Sequence, residues 1–218
     1  GVSEWIKEEA KKSPIFPLNA KYKTIYNWID LDVFRPRDKM TSRAKLGLSP
    51  NLYYAISVSY QWNEAKGLSA IIKLATSMPE IMLILIGRKP SIPDLPENII
   101  FPGVISDKKI LSYYYSASEV YLNFSKQETF GKVSAEALAC GLPVISSDTT
   151  ASPEVVGNCG VSIDTSDDKI VLETLKKFRT QSYSINRGVC RQRAEFLFSQ
   201  NKSLESYMRF FELLLNKN

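Results

Sequence analysis

Two glutamates eight positions apart are the residues of this sequence best placed to do chemistry. Glu128 stands in the polar loop SKQETFG, and Glu136 stands in the run KVSAEALAC. Alanines at 135, 137 and 139 predict close packing of a helix on a sheet, so Glu136 should be partly buried. A carboxylate buried without a partner is costly. The sequence therefore raises the question of which polar ligand this pair of carboxylates binds.

A helix predicted to begin after Gly131 suggests the ligand. A glycine lets a ligand approach the backbone closely, and the free amides around Lys132 and Val133, with the helix dipole, form an anion site suited to phosphate. Glu136 lies one turn further on, roughly 6 Å along the axis, where it could accept hydrogen bonds from two ribose hydroxyls. Glu128 precedes the helix and would face the other end of the phosphates. Together these groups predict a site for a nucleotide sugar.

The alternative is that both glutamates only favour a helix N-terminus, which contributes about 0.3–1 kcal/mol. This alternative suits neither residue well, because Glu128 precedes the helix and Glu136 lies beyond its first turn.

Strand-like and helix-like segments alternate from residue 51 onward. Apolar, β-rich runs predict strands at 52–59, 81–87, 98–103, 119–125, 143–148 and 160–163, and helices are predicted at 67–78, at 107–118 and after Gly131. This alternation predicts an α/β fold with a doubly wound parallel sheet, Rossmann-like, in which ligands bind at the carboxyl ends of the strands. The loops 60–67, 87–98 and 125–132 lie at those ends. Neither the G-x-G-x-x-G fingerprint nor a P-loop motif is present, which disfavours NAD dehydrogenases and P-loop NTPases.

The two ends of the chain differ from this alternating region. Residues 4–13 predict a short amphipathic helix, residues 22–34 a strand that runs into a turn, and residues 37–49 a further helix. From residue 167 onward the pattern predicts three consecutive helices with no strand between them.

Composition narrows the chemistry further. The 218 residues are 44% hydrophobic and 23% charged, as is typical of a globular protein, and no apolar run approaches the roughly 20 residues that span a bilayer. The chain has no histidine, which removes the commonest general base and metal ligand. Its three cysteines lack CxxC spacing and are expected to be buried thiols in a reducing cytosol. The net charge of +5 is scattered, so no nucleic-acid surface is predicted.

The stretch ETFGKVSAEALACGLPVI resembles the E-x(7)-E signature of the retaining GT-B glycosyltransferases of group 1, the glycogen-synthase-like superfamily. Three further segments resemble that family in the same order: NWIDLDVFRP, SVSYQWNEAKGL and ASPEVVGNCGVSID. The resemblance covers nearly the whole chain. It implies the donor-binding half of a GT-B fold.

The resemblance also implies roles for individual residues. Glu128 would contact the hydroxyls of the donor sugar as the catalytic glutamate, and Glu136 would contact the ribose. Lys66 matches the family lysine that neutralises the donor diphosphate. The other donor-lining positions implied are Phe130, Gly131, Lys132 and Val133, largely through backbone groups, and Val104 beside the nucleobase.

Two departures from the family pattern bear on these roles. The family commonly has an arginine several residues before the lysine, whereas residues 60–63 here are YQWN, so Lys66 would hold the diphosphate alone or with Arg88. Trp28 stands where the family has glycine, which leaves that turn undefined.

The implied enzyme is a glycosyltransferase of the hexosyltransferase type. It would move a sugar from a nucleotide diphosphate sugar to a hydroxyl acceptor, such as a glycan or lipid-linked glycan, with retention and with neither metal nor cofactor. Residues 1–36 would form the interdomain crossing segment, 37–180 the nucleotide-sugar-binding domain, and 181–218 C-terminal helices packed on it. The acceptor would bind to an N-terminal half that this chain lacks, so we expect a fragment that is inactive alone.

The expected setting is cell-surface polysaccharide synthesis in the cytoplasm, with peripheral association of the full-length enzyme with the inner membrane face. Two other classes stay open from the sequence. One is a GT-B relative with different chemistry, such as a sugar-nucleotide epimerase or a phosphorylase. The other is a non-catalytic nucleotide-binding domain.

Overall fold

A computed structural model describes residues 1–17, 19–92 and 94–215. Six strands form one sheet in these ranges: β1 Tyr53–Gln61, β2 Ile81–Arg88, β3 Ile99–Gly103, β4 Val120–Asn123, β5 Val144–Ser147 and β6 Gly160–Ile163. The helices are α1 Glu4–Lys12, α2 Lys39–Leu46, α3 Leu68–Ser77, α4 Lys108–Ala117, α5 Lys132–Ala139, α6 Ser152–Val156, α7 Asp168–Arg179, α8 Arg187–Phe198 and α9 Gln200–Leu215. Parts of three predicted segments lie outside the described residues: position 18 of segment 1–36, position 93 of loop 87–98, and positions 216–218 at the chain end.

The sheet is parallel throughout, in the order β3-β2-β1-β4-β5-β6. The predicted α/β doubly wound fold is therefore confirmed. The chain first builds outward from β1 to β3 and then crosses back to place β4 on the other side of β1. The direction of winding thus reverses between β1 and β4, so the helices that follow these two strands, α3 and α5, pack on opposite faces of the sheet. Such a switch point is where open parallel sheets bind ligands.

Both faces of the sheet are covered because successive side chains of a strand point to opposite sides. In β1, Tyr54 and Ile56 belong to a cluster with residues of α4, α5 and α8, whereas Ala55 belongs to a cluster with residues of α3 and α7. The strands lack polar alternation because they have no solvated face.

The predicted strand within residues 22–34 is wrong, although the turn that follows it is present at residues 31–34. Ile25, Ile29 and Phe34 are buried as a strand face would be. The backbone, however, bonds outside the sheet: the amide of Ile25 donates to the carbonyl of Gly1 (2.9 Å) and that of Ile29 to the carbonyl of Phe198 (2.8 Å). The apolar pattern of this segment therefore reflects packing against helices and the chain start, and not pairing with a neighbouring strand.

The last helices differ in how much they contact the sheet domain. α8 packs on α5 and buries Cys190, Ala194 and Phe198. α9 buries only Ser203 and leaves a stripe of large apolar side chains exposed: Leu204, Tyr207, Met208, Phe211, Leu214 and Leu215. The predicted domain boundaries at 36 and 180 stay predictions. In the described ranges no helix has the length and apolar character needed to cross a membrane.

Two glycines with positive φ give a matched test of how tightly the carboxyl end of the sheet is packed. A β-carbon at Gly87, where β2 ends, would stand 1.7 Å from the carbonyl oxygen of Ser59 on β1, whereas one at Gly47, after α2, would meet nothing within 4 Å. We expect Gly47→Ala to cost about 1–2 kcal/mol from backbone strain alone. Gly87→Ala should cost about 3 kcal/mol or more, because strain and overlap add. Urea unfolding of both variants measures this, and equal losses would contradict the close approach.

Candidate donor site

The candidate site lies at the switch point, where the loop after β1 meets the loop after β4. A 3-10 turn at Glu64–Lys66 ends in Gly67, whose φ of +71° starts α3. The amide of Lys126 donates to the carbonyl of Ala65 (2.9 Å), which fastens the second loop to the first. The fold thus joins two loops that lie about 60 residues apart in the sequence.

An ion pair connects the two loops through predicted site residues. The ammonium of Lys66 lies 2.7 Å from a carboxylate oxygen of Glu128 and donates to the hydroxyl of Ser125 at 3.1 Å. The Lys66 side chain is about one-third exposed and that of Glu128 17% exposed. The structure therefore brings together Lys66, the residue predicted to bind the diphosphate, and Glu128, the residue predicted to bind the sugar. Their opposite charges neutralise each other.

Hydroxyl groups of β5 and the segment after it hold the loop that contains Glu128. Ser147 donates to the carbonyl of Ser125 (2.6 Å), and Thr149 donates to the carbonyl of Lys126 (3.0 Å). The amide of Glu128 donates to the hydroxyl of Thr150 at 2.9 Å. The backbone on either side of Glu128 is fixed, which limits how far its carboxylate can move. Sequence reasoning missed these hydroxyls, although a cluster SSDTT directly after a strand is a recognisable signal.

The start of α5 has the form expected for an anion site. Gly131 has φ +86° and ψ +56°, and no side chain caps this end of the helix within the described residues. The amides at Lys132 and Val133 belong to the first turn, which has no acceptor inside a helix. Asn123, the last residue of β4, donates to the Ser134 hydroxyl at 2.9 Å and so ties the helix start to the sheet.

Glu136 is buried, as the alanines predicted, with 8% of its surface exposed. Its carboxylate accepts one long hydrogen bond, 3.4 Å, from the Tyr115 hydroxyl on α4. Burial raises the pKa of Glu136 to about 7, against the opposing effects of the Lys132 charge and the Tyr115 hydroxyl. Burial, together with the Glu136 charge, also raises the pKa of Tyr115. A carboxylate this poorly compensated has unused capacity to accept hydrogen bonds.

Of the remaining predicted residues, Phe130 has a buried side chain, whereas Arg88 and Val104 lie at the carboxyl edge of the sheet. The ring of Phe130 is buried, with its centroid 6.0 Å from that of Tyr26 and 5.3 Å from that of Phe198, so only its backbone can face a ligand. Arg88 lies at the end of β2, where its guanidinium stacks 4.6 Å above the ring of Tyr60. Val104 follows β3 and is exposed. Both stand at the same edge of the sheet as Lys66, and neither has a recorded contact with it.

Two further findings bound the chemistry. Among the described residues no group of three or more His, Cys, Asp or Glu could hold a metal ion; the absence of a metal requirement stays a prediction. A cavity of about 470 Å³ opens beside the site, between Lys126, Asp148 and Asp164, and its lining includes neither Lys66, Glu128 nor Glu136.

Comparison with known proteins assigns the family. Residues 56–179 match the model of "Glycosyl transferases group 1", which is more than half of the chain. The chain belongs to this family. It is 30% identical over 154 residues to the D-inositol 3-phosphate glycosyltransferase of Segniliparus rotundus, covering 62% of this chain and 34% of that protein. It is 24% identical over 189 residues to a GDP-mannose-dependent phosphatidylinositol dimannoside mannosyltransferase of Mycobacterium tuberculosis, covering 83% and 49%.

Solved structures agree on the fold. A glycosyltransferase from Rickettsia africae superposes with a TM-score of 0.85 at 16% identity, over 100% of this chain and 63% of that one. Sucrose-phosphate synthase from Thermosynechococcus elongatus gives 0.79 at 24% identity, over 97% and 57%. A pneumococcal O-GlcNAc transferase, solved with UDP and GlcNAc, gives 0.72 at 23% identity, over 97% and 43%. The domain is therefore a GT-B-type Rossmann-like domain. The chain matches between about a third and two thirds of the length of these relatives.

The buried carboxylate predicts a pH-dependent stability. The pKa of Glu136 is about 7 in the folded chain and near 4.5 when unfolded, so the unfolded state releases this proton first as pH rises. The free energy of unfolding should fall between pH 4.5 and 7 and then stay lower, by on the order of 2–3 kcal/mol. Glu136→Gln cannot ionise, so the variant should not lose this free energy of unfolding as the pH rises. We expect the variant to be more stable than wild type at pH 8 and about equal at pH 4.5.

Urea unfolding at both pH values measures the effect as a difference between the two proteins, so that other titrating groups cancel. Glu154→Gln offers a matched control, because that carboxylate accepts hydrogen bonds from two backbone amides, those of Glu4 (2.7 Å) and Trp5 (3.3 Å). A Glu136→Gln variant that loses stability equally at both pH values would contradict the raised pKa.

Proposed function

We propose that this chain is the donor-binding domain of a retaining glycosyltransferase that uses a nucleoside diphosphate sugar. The observation that carries the proposal is the contact of 2.7 Å between Lys66 and Glu128, directly before the uncapped start of α5. Along the sequence, Glu128, the amides of Lys132 and Val133, and Glu136 follow one another in the order in which a nucleotide sugar presents its sugar, diphosphate and ribose. The names of relatives that use GDP-mannose, or that were solved with UDP, support the same class of donor.

In this proposal the diphosphate lies between the Lys66 ammonium and the amides of Lys132 and Val133. Helix amides and a lysine provide charge-assisted hydrogen bonds to phosphate oxygens. Arg88, on the neighbouring strand end, is a second cation for the same group. The ribose hydroxyls donate to Glu136, whose ionised form regains through them the hydrogen bonds that it lacks in the free chain.

Glu128 orients the sugar. Because Lys66 pairs with Glu128 in the free chain, the incoming diphosphate takes the lysine and releases the carboxylate for the sugar hydroxyls. Binding of one end of the donor thereby prepares the residue that holds the other end. The loop bonds through Thr150 and Ser147 keep Glu128 in place during this exchange.

The transfer step breaks the bond between the anomeric carbon and the diphosphate oxygen and forms a bond from the same face to the acceptor hydroxyl oxygen. The bonding pair leaves with the diphosphate, and the acceptor proton follows it. Positive charge develops at the anomeric carbon and negative charge on the leaving oxygen. Lys66 and the helix amides stabilise that negative charge, and such preorganised groups are often the largest single contribution to catalysis.

The acceptor half of the reaction is proposed to lie outside this chain, on the portion of the relatives that it does not match. We propose a glycan or lipid-linked glycan acceptor and a role in cell-surface polysaccharide synthesis at the cytoplasmic membrane face. Transfer is tested with the full-length protein by following a nucleotide sugar and an acceptor by NMR, which reports the anomeric configuration of the product. Inversion would refute the retaining mechanism.

Exchange of the Lys66 ion pair gives a prediction with opposite signs for its two members. Lys66→Ala should weaken UDP or GDP binding about tenfold or more, because a charge-assisted contact contributes about 1.5–3 kcal/mol. Glu128→Gln should leave this affinity intact or increase it, because it removes the anion that competes with the diphosphate. Isothermal titration with nucleoside diphosphate measures both.

The matched control is Lys126→Ala, a lysine on the same loop whose side chain is 63% exposed and lies 3.8 Å from Glu64. It should change the affinity little. If Lys126→Ala and Lys66→Ala weakened binding equally, general charge rather than the placed ammonium would explain the affinity. If Glu128→Gln weakened binding as much as Lys66→Ala, the exchange model would fail.

Donor binding through ionised Glu136 should also depend on pH. Below its pKa of about 7 the neutral carboxyl accepts less well, so UDP affinity should rise between pH 6 and pH 8, by about threefold to tenfold. Phosphate ionisation contributes over the same range. We therefore compare UDP with 2′-deoxy-UDP, which has the same phosphates but one hydroxyl fewer. An equal pH dependence for both nucleotides would exclude the ribose contact.

A further inference from the structure

The amino-terminal edge of the sheet carries a cluster of positive charge that the donor site does not use. Glu119, directly before β4, is the shared carboxylate of this cluster. One of its oxygens accepts from Lys39 (3.0 Å) and Arg43 (2.7 Å), and the other accepts from the amide of Tyr54 (2.8 Å). Both carboxylate oxygens of Glu119 thus already accept hydrogen bonds.

Arg43 is a structural member of the cluster. Its side chain is 4% exposed, and besides Glu119 its guanidinium donates to the carbonyls of Ala117 (3.0 Å) and Pro50 (2.6 Å). These bonds hold α2 against the end of α4. Arg43 shares the single negative charge of Glu119 with Lys39, so this carboxylate cannot fully compensate a third cation.

Arg187 is the cation left over. It begins α8, is half-buried, and donates to the carbonyl of Ser118, a neutral acceptor. Burial lowers its pKa, and the nearby charge of Arg43 acts in the same direction while that of Glu119 opposes them. With Lys39, Arg43 and Arg187 around one carboxylate, the cluster has a net charge of +2. Uncompensated charge away from bulk water is costly.

A cavity of about 320 Å³ opens onto this cluster. Lys39, Glu119, Arg179 and Arg187 line it, and Arg179 lies 3.2 Å from Glu80. The other lining residues are Tyr53, Pro143, Phe178, Gln181, Tyr183, Ser184 and Ile185. The volume is at the lower end of the range of about 300–1,000 Å³ for small-molecule sites.

From this arrangement we propose a second binding site, for a small dianion of the phosphate monoester class, between Lys39 and Arg187 at the amino-terminal edge of the sheet. The ligand's two negative charges match the net charge of the cluster, and arginine and lysine side chains are the usual partners of phosphate oxygens. The hydroxyl and amide groups of Ser184 and Gln181 would contact the organic part of the ligand. The site lies at the strand ends opposite to the donor site, so both ligands can bind together.

The test must separate this site from the donor site, which also attracts phosphate. Thermal melts and isothermal titration of the Lys66→Ala chain with glycerol 3-phosphate are compared with the same measurements after adding Lys39→Gln or Arg187→Gln. Glycerol and sodium chloride at matched ionic strength are the neutral and screening controls. We expect glycerol 3-phosphate to bind the Lys66→Ala chain and each added variant to weaken it about tenfold or more.

Lys45→Gln is the matched control, because Lys45 lies on the same helix as Lys39 but faces the ring of Tyr113 (5.0 Å). It should leave binding unchanged. Arg187→Gln removes the bond to the carbonyl of Ser118 and could lower the stability of the fold. Lys39→Gln tests the site without this risk, because the Lys39 side chain is 43% exposed. No binding to the Lys66→Ala chain, or equal weakening by Lys39→Gln and Lys45→Gln, would overturn the proposal. Citrate, a carboxylate anion, tests the ligand class: binding tighter than that of glycerol 3-phosphate would overturn the assignment to phosphate monoesters.

Discussion

Gly67 lies so close to Phe124 that a β-carbon there would stand 2.5 Å from both the β-carbon and the carbonyl oxygen of Phe124. This contact closes the gap between the loops after β1 and β4, which belong to distant parts of the chain. Only a residue without a side chain, at φ +71°, allows the backbones to meet. The bond from Lys126 to Ala65 and the ion pair of Lys66 with Glu128 join the same two loops, so both depend on this close approach.

The buried carboxylate of Glu136 lowers the stability of the fold when it is ionised. A helix packed through alanines on a parallel sheet has room for little else, and at that position a neutral residue would be the stable choice. The carboxylate instead has a single long hydrogen bond and a pKa near 7. Perturbed pKa values of this kind cluster at functional sites. A hydroxylated ligand would offset part of the cost, which links donor binding to stability.

The two edges of the sheet treat charge in different ways. At the carboxyl edge Lys66 and Glu128 neutralise each other on loops, where exchange of partners needs only small side-chain movements. At the amino edge Arg43 and Glu119 are fixed by backbone carbonyls and amides, so the excess charge of Arg187 cannot be relieved by rearrangement. In the two proposals, a ligand at the carboxyl edge would replace an existing partner of Lys66, whereas a ligand at the amino edge would supply a missing partner of Arg187.

The sequence by itself determined the local elements and the chemistry that they carry. The alternation of apolar, β-rich runs with helical segments predicted a doubly wound parallel sheet, and the alanines around Glu136 predicted its burial. Both results follow from periodicity and side-chain size, which act over a few residues. Pairing between distant segments is a different matter, since it depends on the strand order. The neighbour relation of β1 and β4, the contact of Lys66 with Glu128, and the hydroxyl groups of Ser147 and Thr150 were decided by tertiary structure.

The same reason explains the wrong strand within residues 22–34. Its apolar spacing fits any extended segment with one buried side, and only packing against α8 and the chain start determined that its amides bond outside the sheet. The charge cluster of Lys39, Arg43 and Arg187 was likewise hidden, because its members come from two helices nearly 150 residues apart and converge on Glu119 only once the sheet has formed. Local sequence patterns determined which side of each segment is buried. The crossover connections of the parallel sheet determined which distant segments come into contact.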